Sequence, residues 1–431
     1  MSQKTERKMQ ITRRHAIAGL AGFAAVLPVA ARAQTADLVP DSDADQSAAL
    51  QTALDSANGR LALPAGRFRV ADIQFPANTV VEGVPGATWL VATGSAAAWI
   101  KDRSSTVLRD IGFSGDNGTN ALLNIEGSTE ITIERCQFTD STSIALGLYE
   151  STATIRDCDF RNSADAAIHA LQNTGLFITG NRIDGCGNAG IRIWGVEQHV
   201  DGSIITNNHI TNIDWKAGGN GQNGNGINVY LADEVIVSDN HISNCAFTAV
   251  RLNTTNNTVV SGNQCRTSGE VAIFSEFGFS GSIISENLVD GAATGISITN
   301  LDSEGHLAVC ANNIVRNISP KSEVNPDTVP VGIYVEAEVA VTGNVVENVP
   351  GIALAAGFGS FLRSIVITGN VVHASKIGIG VSVAEGAGDV LIADNMIPDT
   401  ADHEIVGLKW TEIAEPDLRA VADKYPHVTI R

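Results

Sequence analysis

Apolar and polar residues alternate in short bursts along most of this chain, and the bursts fall into two recurring phrases. The first reads apolar-x-apolar-x-x-Asn-x-apolar. Examples are Leu176-Phe177-Ile178-Thr179-Gly180-Asn181-Arg182-Ile183 and Ile365-Val366-Ile367-Thr368-Gly369-Asn370-Val371-Val372. Its asparagine is read at 181, 208, 240, 263, 287, 312, 344, 370 and 395, with steps of 27, 32, 23, 24, 25, 32, 26 and 25 residues. The second phrase lies between successive asparagines, as Gly190-Ile191-Arg192-Ile193, Gly226-Ile227-Asn228-Val229, Gly295-Ile296-Ser297-Ile298 and Gly332-Ile333-Tyr334-Val335. A motif returning every ~25 residues marks a solenoid.

Both phrases have period two, so each predicts a short strand with one buried face. The residues after each Asn add a third strand. Three strands and three turns fill the repeat at ~3.3 Å per residue, which leaves no room for a helix in each unit. The prediction is an all-β, single-stranded, right-handed parallel β-helix of about twelve coils between roughly 80 and 410, stacked at ~4.8 Å. Asn is expected in a left-handed turn, where it is well tolerated, with stacked copies bonding from coil to coil. Cys136 and Cys158 occupy the Asn place in two earlier copies of the phrase.

The ends read differently. Residues 1–33 carry Lys4, Arg7, Lys8, Arg13 and Arg14, then a mildly apolar run, then Ala31-Arg32-Ala33. This is the layout of an export signal with an A-x-A cleavage site, and Thr12-Arg13-Arg14-His15-Ala16-Ile17 resembles the twin-arginine motif. Its apolar run is too short to span a membrane. The division expected is 1–33 signal peptide and 34–431 β-helix domain, with caps at 34–60 and 411–431. Leu50, Ala53, Leu54 and Ala57 share a face and predict a helix between Asp45 and Gly59 that covers the open end of the solenoid. Pro416 sits where the first turn of a second capping helix would start, running to Lys424. Asp41, Asp43 and Asp45 alternate as calcium ligands can, but the Gly and distal Glu of a calcium loop are missing, so helix capping is the expected role.

The repeat resembles the right-handed parallel β-helix of the pectin-lyase-like superfamily. The export signal followed by such repeats resembles a bacterial family of twin-arginine-translocated β-helix repeat proteins that is itself uncharacterised. The superfamily resemblance implies a fold, while its members range over lyases, hydrolases, epimerases and adhesins. The twin-arginine resemblance implies the export machinery as a partner and a periplasmic or secreted location.

Charge narrows the partners. The chain carries a formal net charge of −19, and residues 1–33 hold six Lys/Arg and one Glu, so the remainder stands at −24. That field excludes nucleic acid and simple adsorption to anionic membranes. The six cysteines show no CxxC or Cys/His pairing, so no structural zinc is expected. Buried free thiols are the expectation, although Cys136 and Cys158 in neighbouring coils are within reach of a disulfide. No cofactor is expected.

Candidate chemistry lies on the outward positions of the Gly-Ile strand. Aligning coils gives one column of Gly147, His169, Arg192, Asn228, Arg251, Phe274, Ser297 and Tyr334, and a second of Tyr149, Leu171, Trp194, Tyr230, Asn253, Glu276, Thr299 and Glu336. Three of the four tyrosines fall here. Rings stack on sugar faces, and amides and guanidinium groups bind hydroxyls and carboxylates, so the strip suits a polysaccharide. Tyr149, Trp194, Asn228, Tyr230, Asn253 and Tyr334 are the substrate-binding candidates. An ordinary exposed sheet is the competing reading. Insertions at 213–225 and 316–330 should wall the strip.

For catalysis, Arg192 and Arg251 could neutralise a uronate, with His169 or Tyr230 as base. Glu276 and Glu336, two coils apart, could act as a hydrolase pair. No calcium-binding Asp set appears, and the Gly-rich tract before Gly226 lacks the Lys of a phosphate loop. The sequence therefore points to an exported envelope protein that binds and in one version modifies a polysaccharide, by lyase or epimerase chemistry. The other version is a non-catalytic glycan-binding or structural envelope protein.

Overall fold

The structure is a computed structural model that describes residues 35, 37–299 and 305–431. The proposed export signal lies outside the described residues. Among those described, no helix is long and apolar enough to cross a membrane.

The first strand of each coil pairs in parallel with the same strand of the next. This builds a fifteen-stranded sheet from Arg60–Ala62 to Val428–Ile430. That exceeds the dozen coils read from the phrases, because the first and last coils lack the Asn. The second and third strands of each coil form two further walls. These merge where the long strands Gln264–Glu276 and Leu288–Thr299 run through the corner between them. Most inward strand positions hold an apolar side chain facing its counterpart one coil away, so the interior is a largely apolar stack. Phe113, Phe138 and Phe160 show the principle: their rings lie 5.0 and 4.7 Å apart and nearly parallel.

One corner is held by an amide ladder. Asn263 accepts the Asn240 backbone N–H and Nδ2, each at 3.0 Å. Its own Nδ2 donates to the Val237 carbonyl at 2.9 Å and to Asn287 Oδ1 at 3.0 Å. The same pattern runs from Asn181 to Asn395. Two sequence expectations need correction. The ladder uses Asn313, not Asn312, since Asn313 both accepts from Asn287 and donates to Asn344. The left-handed residue is the one before each ladder Asn: Gly180, Asn207, Asp239, Gly262, Glu286, Asn312, Gly343, Gly369 and Asp394 all have positive φ. The turn residue is thus free to vary, while the next position must present an amide inward. Cys136 and Cys158 fill that place with thiols that reach the Leu108 and Ile133 carbonyls, and Cys158 N–H donates to Asn181 Oδ1.

All six cysteines are buried and free, and no disulfide joins Cys136 to Cys158. Burial pushes the thiols of Cys186, Cys265 and Cys310 up to about 12, which keeps them protonated and unreactive at neutral pH.

The N-terminal end is covered by helix α1 (Ser47–Asp55), whose Leu50, Ala53 and Leu54 are buried on the first coil. Asp45 accepts the Ser47 N–H at 2.9 Å just before α1. The C-terminal end carries the expected helical segment to Lys424, as a 3₁₀ turn that starts at Arg419. A hairpin of Thr400–Lys409 with Glu412–Glu415 closes that end, followed by the 3₁₀ turn and a last parallel strand. Leu418, just before the 3₁₀ turn, is buried in the core.

Candidate functional site

The two outward columns are real vertical neighbours. Register pairs Gly147 with His169, His169 with Arg192, Arg192 with Asn228, Asn228 with Arg251, and Arg251 with Phe274. It then pairs Phe274 with Ser297, and Ser297 with Tyr334. The second column runs Tyr149, Leu171, Trp194, Tyr230, Asn253, Glu276 and Thr299 in the same way. Glu336 follows in the next coil, where its N–H bonds the Ile298 carbonyl. Strip positions also precede the predicted start: Trp99 pairs with Asn124, and Asn124 with Gly147.

The middle of the strip is not an exposed sheet. Arg192, Asn228, Arg251, Glu276 and Glu336 are all buried, while Tyr149 and Tyr230 remain about two-fifths exposed at 41% and 39%. The insertions cause this. The first does not merely rise beside the strip; it folds across it. Asn223 Oδ1 accepts from Arg192 at 3.0 Å, and the Gln222 carbonyl accepts from Asn228 Nδ2 at 3.3 Å. Gly221 has a φ of +123°, and a Cβ there would lie 2.3 Å from the Arg251 guanidinium. Only glycine allows the loop to rest on that group. The second insertion reaches back over earlier coils. Ser322 Oγ donates to the Gly269 carbonyl at 2.6 Å, and Asn325 Nδ2 to Glu270 Oε1 at 2.8 Å.

Both arginines are engaged by carboxylates. Arg192 holds Asp165 with two bonds of 3.0 and 2.9 Å. Arg251 Nε and Nη2 hold Glu276 at 2.6 and 2.9 Å, and its Nη1 holds Glu270 at 3.0 Å. Asn253 Nδ2 adds a bond to Glu276 at 2.9 Å. Burial pushes Asp165 up, but the Arg192 pair outweighs it and holds that carboxyl below its ordinary range. Deeper burial keeps Glu276 above its ordinary range in spite of Arg251. Neither arginine matches the free neutraliser expected from sequence. Each is half of a planar, bidentate pair.

Tyr149 and Tyr230 remain open and Trp194 is half-buried. Trp194 stands edge-on to His169 at 5.3 Å and to Tyr230 at 6.3 Å, with its Nε1 donating to Asn228 Oδ1 at 3.3 Å. A cleft of about 400 Å³ lies between Trp194, Tyr230, Asn253 and Glu276 on the strip and the Asn220–Gln222 segment of the first insertion. A second hollow of about 250 Å³ sits on the same columns, lined by Asn124, Tyr149, His169 and Leu171. Trp194 separates the two. A larger hollow of about 840 Å³ lies off the strip, between Lys216 and Lys321 of the two insertions. It gathers no aromatic side chain, so the strip clefts are the better ligand site.

His169 borders the smaller hollow. Burial first, and the neighbouring Arg192 second, pull its imidazole down to about 4. It is therefore neutral at pH 7, and its buried Nδ1 has no hydrogen-bond partner among the described residues. Tyr334 lies deeper, where burial and then Glu336 push its phenol up. Glu276 and Glu336 are separated by the Thr299 coil, and Glu276 is already bonded to Arg251. No group of three or more His, Cys, Asp or Glu is placed to hold a metal ion among the described residues.

Asp165, Asn188, Glu270, Asn223 and Asn325 were missed by the sequence reading. A signal existed for three of them. Asp165, Asn188 and Glu270 each lie three residues before the Ile of a Gly-Ile-type strand, at Ile168, Ile191 and Ile273. That corner column borders the strip and was not aligned. The two loop asparagines lie in insertions without a repeat, and no periodic signal could place them.

Comparison with known proteins fits this architecture. Among curated proteins, no sequence matches the chain. Among solved structures, the catalytic unit of the GH87 α-1,3-glucanase from Streptomyces thermodiastaticus is similar with a TM-score of 0.56 at 12% identity, over 87% of this chain and 68% of that one. The surface adhesin PfbA of Streptococcus pneumoniae gives 0.47 at 14% identity, over 86% and 98%. The A-module of the mannuronan C-5 epimerase AlgE6 of Azotobacter vinelandii gives 0.45 at 13%, over 84% and 97%. These similarities concern the fold alone. The family model described as a right-handed β-helix region matches residues 95–218 and 148–319, together more than half of the sequence, and the chain belongs to that family.

Proposed function

We propose that this is an exported protein that binds a polysaccharide along the strip from Tyr149 to Tyr334. The observation that carries the reading is the cleft in which Trp194, Tyr230 and Asn253 face the Asn220–Gln222 loop. Exposed rings at coil spacing present flat apolar faces, and amides between them bond hydroxyls, the combination a sugar chain requires. The −19 charge argues for a ligand without a nucleic-acid-like backbone. The basic start, apolar run and A-x-A site of residues 1–33 support export by the twin-arginine route to the periplasm or beyond, with 34–431 as the working domain.

Binding without turnover is the version that the geometry supports better. A lyase or epimerase step on a uronate would require Arg192 or Arg251 to leave a carboxylate that it already holds. The observation favouring a chemical step is His169, a neutral base candidate beside the smaller hollow.

The test is affinity electrophoresis of residues 34–431 in gels containing single polysaccharides, with α-1,3-glucan among them. Trp194→Ala should lose most of the retardation, and unchanged retardation would remove the cleft from the binding site. Release of reducing or unsaturated ends from the retained glycan would favour the catalytic version, and His169→Ala should then abolish it.

A further inference from the structure

We infer, on the basis of the glycan-binding reading, that the strip selects a sugar chain free of carboxylate, sulfate and phosphate groups. The charges at the cleft decide this. Arg251 lines it, Arg192 lies behind its Trp194 wall, and His169 at the smaller hollow is neutral at pH 7. Arg192 is matched by Asp165, and Arg251 faces two carboxylates, Glu270 and Glu276. These five groups sum to one negative charge. A uronate entering the cleft would meet excess negative charge in a partly desolvated site, where like charges repel more strongly than in water.

The directions of approach point the same way. A carboxylate binds a guanidinium in its plane, through pairs of N–H groups. Arg251 directs Nε and Nη2 at Glu276 and Nη1 at Glu270. Phe274 covers one side, with the guanidinium carbon 5.0 Å from its ring, and the Gly221 backbone rests against the same group. Arg192 is enclosed by Asp165, Asn223 and Trp194, with its Nη1 and Nη2 engaged and its buried Nε without a hydrogen-bond partner among the described residues. Apart from Arg251 and Glu276, which bond each other, the groups lining the cleft are uncharged, among them the Tyr230 ring and phenol, the Asn253 amide, Gln222 and Phe277. They match hydroxyls and sugar C–H faces. The arginines hold the acidic wall in place and are positioning residues.

The experiment is calorimetric titration of residues 34–431 with matched oligosaccharides of equal length. One arm uses neutral gluco-oligosaccharides with α-1,3, β-1,3 and β-1,4 linkages. The other uses oligogalacturonates and oligomannuronates. At 20 mM salt the best neutral series should bind at least about tenfold more tightly than any uronate, the equivalent of ~1.4 kcal/mol. The gap should narrow at 500 mM salt, where charge is screened. Glu270→Gln removes the unmatched charge by replacing the carboxylate with an amide of nearly the same shape. It should narrow the gap at low salt and leave neutral binding within about twofold. A uronate that binds as tightly as its neutral counterpart would overturn the inference and leave the glycan-binding reading standing. If neither series binds, the glycan-binding reading falls, and the inference falls with it.

Discussion

Arg251→Leu tests the buried charge network directly. The substitution leaves Glu270 and Glu276, each 4% exposed, without their shared cation. Thr248, Asn253 and Asn325 would still donate to them, but no positive charge would remain in contact. Removing one partner of a buried ion pair costs about 3–5 kcal/mol. Unfolding entropy of ~2.1 cal/mol/K per residue over roughly 390 residues is about 0.8 kcal/mol/K, so Tm should fall by about 4–6 °C. The loss should depend on pH in a definite direction. Glu276 already has its folded pKa above the unfolded value. Without Arg251 it rises further, so the folded state holds the proton more tightly than the unfolded state does. The contribution of this group is then greatest below pH ~4.5 and falls as pH rises through the raised pKa. Calorimetric melts at pH 5 and pH 8 should show the larger deficit at pH 8. Hydrogen exchange in Val250–Asn253 and Gln264–Glu276 should locate it, which matters because a solenoid can open in parts. The combination Glu270→Gln, Arg251→Met, Glu276→Gln removes all three charges and should recover most of the loss. A Tm for Arg251→Leu within about 1 °C of the parent at pH 8, or a larger deficit at pH 5, would refute the reasoning.

Other consequences can be read separately. Asn263→Ala in mid-ladder strands the Asn240 N–H and Nδ2 along with the Val237 carbonyl, and should cost ~3 kcal/mol or more in thermal melts. Asn395→Ala, at the half-buried last rung, should cost about half as much, and equal losses would argue against a cooperative ladder. The folded His169 pKa of about 4 lies below its ordinary 6.5, so the unfolded chain takes up the proton first, and stability drains away as pH falls from about 6.5 to 4. His169→Gln should flatten that part of the Tm-versus-pH curve relative to the parent, and parallel curves would contradict the assignment. Asn325→Ala removes the bond tying the second insertion to Glu270, and should speed amide exchange in 317–330 with a Tm change under about 2 °C.

The coil was legible because stacking gives every repeat the same neighbours. An inward Ile meets the inward Ile of the next coil, so the pattern must recur, and Cys136 and Cys158 could be recognised in the Asn place by frame alone. The slip from Asn313 to Asn312 shows the limit of that signal. Two adjacent asparagines fit the phrase equally, and only the hydrogen-bond register distinguishes the amide that points inward from the one that makes the turn. The strip columns were legible for the same periodic reason, and Arg192 and Arg251 were placed on the correct face.

Their partners were not read. Asp165 and Glu270 stand in a corner column that periodicity could have aligned, but Asn223 and Asn325 lie in insertions without a repeat, and Asn325 is 55 residues from the Glu270 it bonds. Such contacts are made by corners and loops that cross several coils. Sequence alone therefore determined the solenoid, its N-terminal helix and the aromatic strip, because each follows from a local period repeated at constant rise. Tertiary structure alone decided that the strip's middle is roofed by Gly221 and its neighbours, and that its arginines face carboxylates. An aperiodic loop's path depends on which surface it can cover without stranding a polar group, and that surface exists only once the coils have stacked.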